Sequence, residues 1–301
     1  MKKIVVTGGA GFIGSHLVDA LVERGFDVHV IDNLIAGKIE NVNKQAKFFK
    51  EDIRNFDAVK KIMEGAEYIF HLAALPRVQY SIENPAETND VNINGLLNIL
   101  VAAKEAKVKK IIYSASSSAY GNQEKLPLKE DMPANPLSPY GLQKYVGELY
   151  CQVFNAVYGL STVSLRYFNV YGPRLDPEGD YALVIGRFLK QKKEGKPLTI
   201  VPDGEQTRDF THIRDVIAAN IFAMESDKVG KGEVINIGAG KNYSVNKIAE
   251  IIGGPTIFIE PRTEPKHALA DITKAKELLG WEPKVSLEEG IEELKSLTFK
   301  F

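Results

Sequence analysis

The amino-acid sequence predicts an α/β protein, a doubly wound parallel sheet joined to a smaller C-terminal lobe. Three observations carry that prediction. A short apolar run at the N-terminus enters a glycine-rich turn and then a helical pattern. Strand-like and helix-like patterns then alternate as far as Ser161–Tyr167. After Pro173–Arg174, Gly and Pro become frequent and the alternation breaks up. The implied organisation is a dinucleotide-binding domain over residues 1–170, with 205–240 returning to it, and a substrate-binding lobe from 171–204 and 241–301.

In chain order, Lys3–Thr7 is a continuous apolar run of the kind found in buried parallel strands. Gly9, Gly11 and Gly14 satisfy G-x-G-x-x-G, and Gly8, Gly11 and Gly14 satisfy its wider form. Such glycines let the backbone approach a pyrophosphate, whose charge then sits at a helix N-terminus. A helix follows from Ser15 to about Arg24, then a strand at Asp27–Ile31 that ends on Asp32. An acid at this offset takes ribose hydroxyls and repels a 2′-phosphate, which favours NAD over NADP. Strand, glycines, helix, strand and acid together specify a Rossmann-like unit.

Next come a strand near Lys47–Lys50, leading to Asp52 and Ile53, a helix near Phe56–Glu64 and a buried strand at Tyr68–Leu72. The small residues Ala73 and Ala74 at its end suit close approach of a cofactor, and equally suit plain packing. An amphipathic helix over Asn89–Ala106 turns Val91, Leu96, Ile99, Leu100 and Ala103 to one side. The strand at Lys110–Tyr113 runs into Ser114–Gly121, whose hydroxyls lie where doubly wound sheets bind ligands or form a serine-rich turn. A proline-rich loop leads to Ser138–Pro139, a helix start, and then to Tyr140 and Lys144 one turn apart. A phenol ionises near pH ~10, and an ammonium beside it lowers that value, so the pair is a candidate acid/base. On spacing alone it is also an ordinary surface helix.

Composition sets the bounds. The 301 residues are 44% hydrophobic, enough for a substantial core, and the formal net charge of −1 argues against a general nucleic-acid or membrane-surface partner. A single cysteine, Cys151, excludes an intrachain disulfide and fits a reducing compartment. Met1–Lys3 leads straight into the first strand, leaving no room for a signal peptide, and no apolar run approaches the roughly 18 residues of a membrane span. A cytoplasmic protein without metal is the expectation.

The ordered series TGGAGFIG (Thr7–Gly14), Asp32–Asn33–Leu34, Asp52–Ile53, HLAA (His71–Ala74), NING (Asn92–Gly95) and SASSSAYG (Ser114–Gly121) resembles the extended short-chain dehydrogenase/reductase family. SPYGLQK (Ser138–Lys144), RYFNVYGPR (Arg166–Arg174), GEQTRDF (Gly204–Phe210) and ADITKAKELLGWEP (Ala270–Pro283) continue the series, which is closest to the nucleotide-sugar epimerases of the UDP-glucose 4-epimerase kind. The resemblance spans nearly the whole chain. It implies Ser116, Tyr140 and Lys144 as catalytic residues. It implies NAD held by Gly8, Gly11, Phe12, Ile13, Gly14, Asp32, Asn33, Asp52, Ile53, Leu72, Ala73, Ala74, Asn92, Ser114, Tyr140, Lys144 and Tyr167. The nucleotide sugar would meet Arg77, Ser116, Ser118, Tyr140, Asn169, Arg208, Arg262 and Ala268.

In such enzymes Tyr140 would take a proton from a sugar hydroxyl while the carbon gives hydride to NAD, and a 4-keto sugar would turn over and be reduced on its other face. The resemblance also implies a homodimer paired through the helices of Asn89–Ala106 and Tyr140–Tyr158. The sister 4,6-dehydratases and decarboxylases place an acid before the Tyr–Gly pair, where Ser117, Ser118 and Ala119 stand here. A catalytically silent NAD-binding regulator is the rival of a different class. Ala268 stands at a position similar to one that gates the sugar pocket, and its small side chain implies room for an N-acetylated sugar. The loop of Arg262 is one residue short of the family pattern, and Glu264 is a weaker candidate beside it.

Overall fold

A computed structural model describes residues 1–175, 184–260 and 266–298. Six parallel strands come first: β1 (Lys3–Thr7), β2 (Asp27–Ile31), β3 (Lys47–Phe49), β4 (Tyr68–His71), β5 (Lys110–Ser116) and β6 (Thr162–Tyr167). Short β7 (Val170–Tyr171), β8 (Leu198–Ile200), β9 (Thr207–Asp209) and β10 (Thr211–His212) follow, then β11 (Lys231–Ile237), β12 (Asn242–Ser244) and β13 (Thr256–Phe258). The main sheet has the order β11-β6-β5-β4-β1-β2-β3 and is parallel throughout. Strand order reverses between β1 and β4, and open α/β sheets bind ligands in the crevice outside such a point.

Helices cover both faces, in chain order α1 (Phe12–Glu23), α2 (Phe56–Met63), α3 (Val78–Glu83), α4 (Pro85–Asn89), α5 (Leu96–Glu105), α6 (Pro139–Tyr158), α7 (Val184–Lys193), α8 (Ile213–Glu225), α9 (Val245–Ile252), α10 (Thr273–Leu279) and α11 (Leu287–Thr298). Strand side chains alternate between faces. Ile4 and Val6 therefore pack with Leu17, Ile213 and Trp281, whereas Val5 packs with Ile99, Leu100 and Cys151 on the other face. A third core joins Tyr171, Phe188, Ile200, Phe210, Ile248 and Ile291 beyond the sheet. Ala275 and Leu279 of α10 pack in the first core, with the large sheet.

The helix expected over Asn89–Ala106 is not one regular α-helix. A widened π turn, Asp90–Gly95, separates α4 from α5. The extra residue per turn re-aims a side chain, and here it brings Asn92 onto the backbone of Leu75, accepting from its N–H at 2.8 Å and donating to its carbonyl at 3.2 Å. Helix α6 starts as its sequence predicts. Pro139 occupies the first turn and the Ser138 hydroxyl accepts from Gly141 N at 3.1 Å, satisfying a donor that a helix start leaves unpaired. Among the described residues no helix is long and apolar enough to cross a membrane, and no group of His, Cys, Asp and Glu side chains is arranged to hold a metal ion.

Candidate active site

The crevice begins at the glycine turn after β1. Gly8 has φ +72°, and a Cβ on Gly14 would lie 2.1 Å from the Gly8 carbonyl oxygen, so the turn closes only with glycine there. Helix α1 opens on Gly11 with no side-chain cap and no acid in its first turn, which leaves its N-terminal donors available to an anion. Phe12 and Ile13 occupy that first turn. At the end of β2, Asp32 accepts from Ala10 N at 3.0 Å and from Leu34 N at 2.8 Å, one bond on each oxygen. Each oxygen keeps a second lone pair for a hydroxyl donor. Burial pushes this carboxyl above its ordinary range, and the two backbone bonds oppose the rise. A bare helix N-terminus, a glycine cradle and a ribose acceptor one strand away fit a dinucleotide.

The floor of the crevice is built from β4 and β5. Leu72 N donates to Thr7 O, and Ala73 N lies 3.3 Å from Thr7 Oγ1, so Leu72, Ala73 and Ala74 pass directly beside the glycine turn. A Cβ on Gly8 would meet Ala73 N at 2.7 Å. His71 stacks on Tyr113, and burial drives its pKa down to about 3, so the ring is neutral at physiological pH. Asn33 donates to Asp52 Oδ2 at 3.0 Å, and Arg54 supplies three further donors to the same carboxylate. Those bonds, led by the Arg54 side chain, hold Asp52 down at about 2. Its four acceptor positions are thereby filled, and neighbouring Ile53 is buried. Tyr167, at the end of β6, donates to Asn220 Oδ1 at 2.9 Å.

Ser116, Tyr140 and Lys144 converge at the carboxyl end of β5. Tyr140 N donates to Ser81 Oγ at 3.0 Å, fixing the start of α6 against α3. A Cβ on Gly141 would lie 2.7 Å from Ser118 O, so this glycine lets the helix close on the serine loop. Ser116 Oγ donates to Ser118 Oγ and accepts from Ser118 N, both at 3.1 Å. Lys144 is buried, and its Nζ donates to Ser114 O at 2.7 Å while lying 6.0 Å from the centre of the Tyr140 ring.

The electrostatics depart from the sequence argument. The spacing of Tyr140 and Lys144 predicts an ammonium that lowers the phenol's pKa. Instead, desolvation dominates and pushes Tyr140 up to about 12, opposed by the Ser116 hydroxyl. Burial outweighs the neighbouring charge, and the ammonium donates to the Ser114 carbonyl and not to the phenol oxygen. Lys144 is itself pushed down to about 8 by burial, against the attraction of Glu148.

Across the crevice, Asn169 has φ 28° and donates to Asp209 O at 2.9 Å. Arg208 Nη1 donates to Thr207 O and, at 3.3 Å, to Lys266 O. Thr207 also pairs with the segment carrying Ala268, through Thr207 N to Lys266 O and Ala268 N to Thr207 O. Backbone pairing therefore places Ala268 beside the Arg208 strand. Arg77 is exposed at the start of α3, away from those residues in sequence. Arg262 and Glu264 lie outside the described residues.

Several residues of this region escape the sequence reading. Asp209 is fully buried and accepts from Ala239 N at 2.6 Å, Gly240 N at 3.0 Å and Ala270 N at 3.1 Å, which locks two loops onto the Arg208 strand. Desolvation raises its pKa to about 6, and the three backbone donors oppose the rise. Gln143 accepts from Asn92 Nδ2 at 2.8 Å and donates to Thr88 Oγ1 at 3.0 Å, so Asn92 spends its amide on Leu75 and Gln143. Glu148 and Arg166 form a buried, two-bond ion pair. Only the spacing of Glu148, one helical turn beyond Lys144, hints at this in the sequence.

The signature of the NAD dependent epimerase/dehydratase family matches residues 4–238. A putative UDP-glucose 4-epimerase of Methanocaldococcus jannaschii is 44% identical over 297 residues, covering 96% of this chain and 95% of that protein. A UDP-glucose 4-epimerase of Thermotoga maritima, solved with UDP-glucose, superimposes with a TM-score of 0.92 at 43% identity, covering 99% of this chain and 98% of the other. A UDP-N-acetylglucosamine 4-epimerase of Methanobrevibacter ruminantium, solved with UDP-N-acetylmuramic acid, gives a TM-score of 0.92 at 39% identity, covering 98% and 99%. More distant relatives bear the names of UDP-glucuronate 4-epimerases and UDP-glucuronic acid decarboxylases.

Proposed function

The chain belongs to the NAD dependent epimerase/dehydratase family, and from that premise we propose that it interconverts the C4 epimers of a UDP-hexose. UDP-glucose and UDP-galactose are the core pair, with the N-acetylated pair accepted as well. The observation that carries this reading is the convergence of Ser116, Tyr140 and Lys144 at the crevice edge, with Ser117, Ser118 and Ala119 in place of any acid. Dehydration or decarboxylation calls for a second acid/base there, and this loop offers hydroxyls and a methyl.

In this reading Gly8–Gly14 would hold the pyrophosphate of NAD and Asp32 its ribose hydroxyls. When bound, the dinucleotide supplies the oxidant that takes hydride from C4 and returns it, and a positive ring that favours an ionised phenol. Tyr140 Oη accepts the proton of the C4 hydroxyl as the carbon is oxidised, and gives it back after the ketone has turned. Ser116, whose one proton points to Ser118 Oγ in the free protein, turns it to the same oxygen of the sugar when substrate is bound. Lys144 keeps a positive charge behind Tyr140 and reaches the nicotinamide ribose. Asn169 and Arg208 hold the diphosphate, for which a planar guanidinium suits two oxygens at once.

Two finer assignments complete the reading. Residues 171–204 and 241–301 act as the substrate lobe, apart from α10 and Trp281, which pack with the large sheet. The chain works as a cytoplasmic homodimer, an assembly supported by Leu149, Val153, Val157 and Tyr158, which lie exposed along α6. The test is incubation of the purified protein with UDP-galactose, UDP-N-acetylglucosamine and UDP-glucuronate in separate reactions. Conversion of UDP-galactose to UDP-glucose without accumulation of reduced cofactor supports the proposal. Release of carbon dioxide from the glucuronate, with no epimer formed in any reaction, would replace it by decarboxylation.

A further inference from the structure

Lys144 is followed one turn later on α6 by Glu148, and both side chains face the sheet. Residues four apart on a helix are neighbours. A buried carboxylate there is the strongest available competitor for the Lys144 ammonium. Yet Nζ of Lys144 is given to Ser114 O at 2.7 Å. The carboxylate is turned to β6, where Glu148 Oε1 accepts from Arg166 Nε at 2.8 Å and Oε2 from Arg166 Nη2 at 2.6 Å.

The sheet explains how the two contacts stay separate. Strands β5 and β6 are adjacent, with Ser114 opposite Leu165 and Ala115 opposite Arg166. Lys144 and Glu148 thus reach down to neighbouring strands. Arg166 is itself held, its guanidinium carbon 4.4 Å from the centre of the Tyr120 ring, and Tyr120 donates to Asn236 Oδ1 at 2.7 Å. Both members of the pair are almost completely buried, at 1% and 3% side-chain exposure. A buried ion pair is a poor way to gain stability, since well-packed apolar residues of the same volume do as well or better. Its placement one turn from Lys144 gives it another use.

We propose that Arg166 is a positioning residue for Lys144: its two-pronged grip turns the Glu148 carboxylate toward β6 and leaves the ammonium free to serve Tyr140 and the cofactor. The inference rests on the role given to Lys144 above. Beside Lys144 also stand His71 from β4 and Tyr113 from β5, both neutral, and the Cys151 thiol, which burial pushes up to about 12. Glu148 is therefore the anion that can capture it. A bidentate guanidinium occupies both carboxylate oxygens, which a lysine at the same place would not.

The test is a rescue. Arg166→Met frees Glu148 and is expected to lower kcat about 30-fold, with a small change in KM, because the loss falls on a group that acts in the reacting complex. Adding Glu148→Gln removes the competing charge and is expected to bring kcat back to within about threefold of the parent protein. NAD affinity of cofactor-stripped protein, measured by calorimetry, should fall and recover in the same pattern, since Lys144 reaches the ribose. Arg166→Lys, alone and with Glu148→Gln, repeats the comparison with the charge retained if the methionine variant does not fold. A double variant as impaired as its single parent, in turnover and in NAD affinity, overturns the proposal, as does a single variant equal to the parent protein. If the parent protein turns over no UDP-sugar, the proposed reaction fails, and the affinity measurements still decide the role of Arg166.

Discussion

Gly8, Gly14 and Asp32, on the side of the crevice assigned to the cofactor, belong to one βαβ unit, and the main chain around them is held by the large parallel sheet. Asn169, Arg208 and Ala268, on the side assigned to the sugar nucleotide, come from distant parts of the chain. Two-residue and three-residue strand pairings and the buried Asp209 carboxylate bring them together. The first side is fixed by local geometry that a few glycines dictate. The second is fixed by long-range polar contacts, of which those through Asp209 and Asn169 depend on a single side chain. The cofactor side should therefore tolerate damage to the substrate side, and the two should be separable by mutation.

The largest expected effect comes from the group between them. Tyr140→Phe should lower turnover by about 10²–10⁴-fold, the usual cost of losing a positioned acid/base, while the protein retains NAD through purification. Turnover close to that of the parent protein would remove Tyr140 from the chemistry. Next comes Asp209→Asn, which leaves one carbonyl oxygen to serve the three donors Ala239 N, Gly240 N and Ala270 N. A buried donor left unpaired costs about 1–3 kcal/mol, so thermal unfolding should move down. KM for the nucleotide sugar should rise with NAD retention unchanged. A parallel loss of NAD would show that the two sides are not independent.

On the cofactor side, Asp32→Ala should weaken NAD by about tenfold, the scale of one charge-assisted hydrogen bond, and relax discrimination against NADP. Titration of stripped protein with both cofactors reads this directly, and a parent protein that prefers NADP would contradict the role given to Asp32. The narrowest effect, confined to one substrate, is expected at Ala268. Ala268→Tyr should depress turnover of UDP-N-acetylglucosamine by about tenfold and spare UDP-galactose, because a phenol ring takes space an acetamido group needs. An equal fall on both substrates would mean that Ala268 does not gate the sugar.

The same contrast decides what the sequence discloses. The glycine turn, Asp32 at the end of β2, and the Ser138–Pro139 start of α6 are all visible in the sequence, because each is a contact within a turn or one strand–helix unit. The π turn at Asp90–Gly95 is not visible, because what accompanies it is a tertiary contact, the bond from Leu75 N to Asn92 Oδ1. The spacing of Tyr140 and Lys144 is plain in the chain, but the commitment of Nζ to Ser114 O depends on how α6 lies over β5. Asp209 and Arg166 read as ordinary members of their motifs. Their partners lie far along the chain, on 239–270 and on α6, and only the fold brings those together.

Oxidation and re-reduction at C4 within one bound complex can be followed with UDP-galactose carrying deuterium at C4. The UDP-glucose formed should keep the deuterium at C4, with no incorporation from solvent at any ring carbon. Solvent hydrogen at C4, or exchange at C5, would contradict that mechanism.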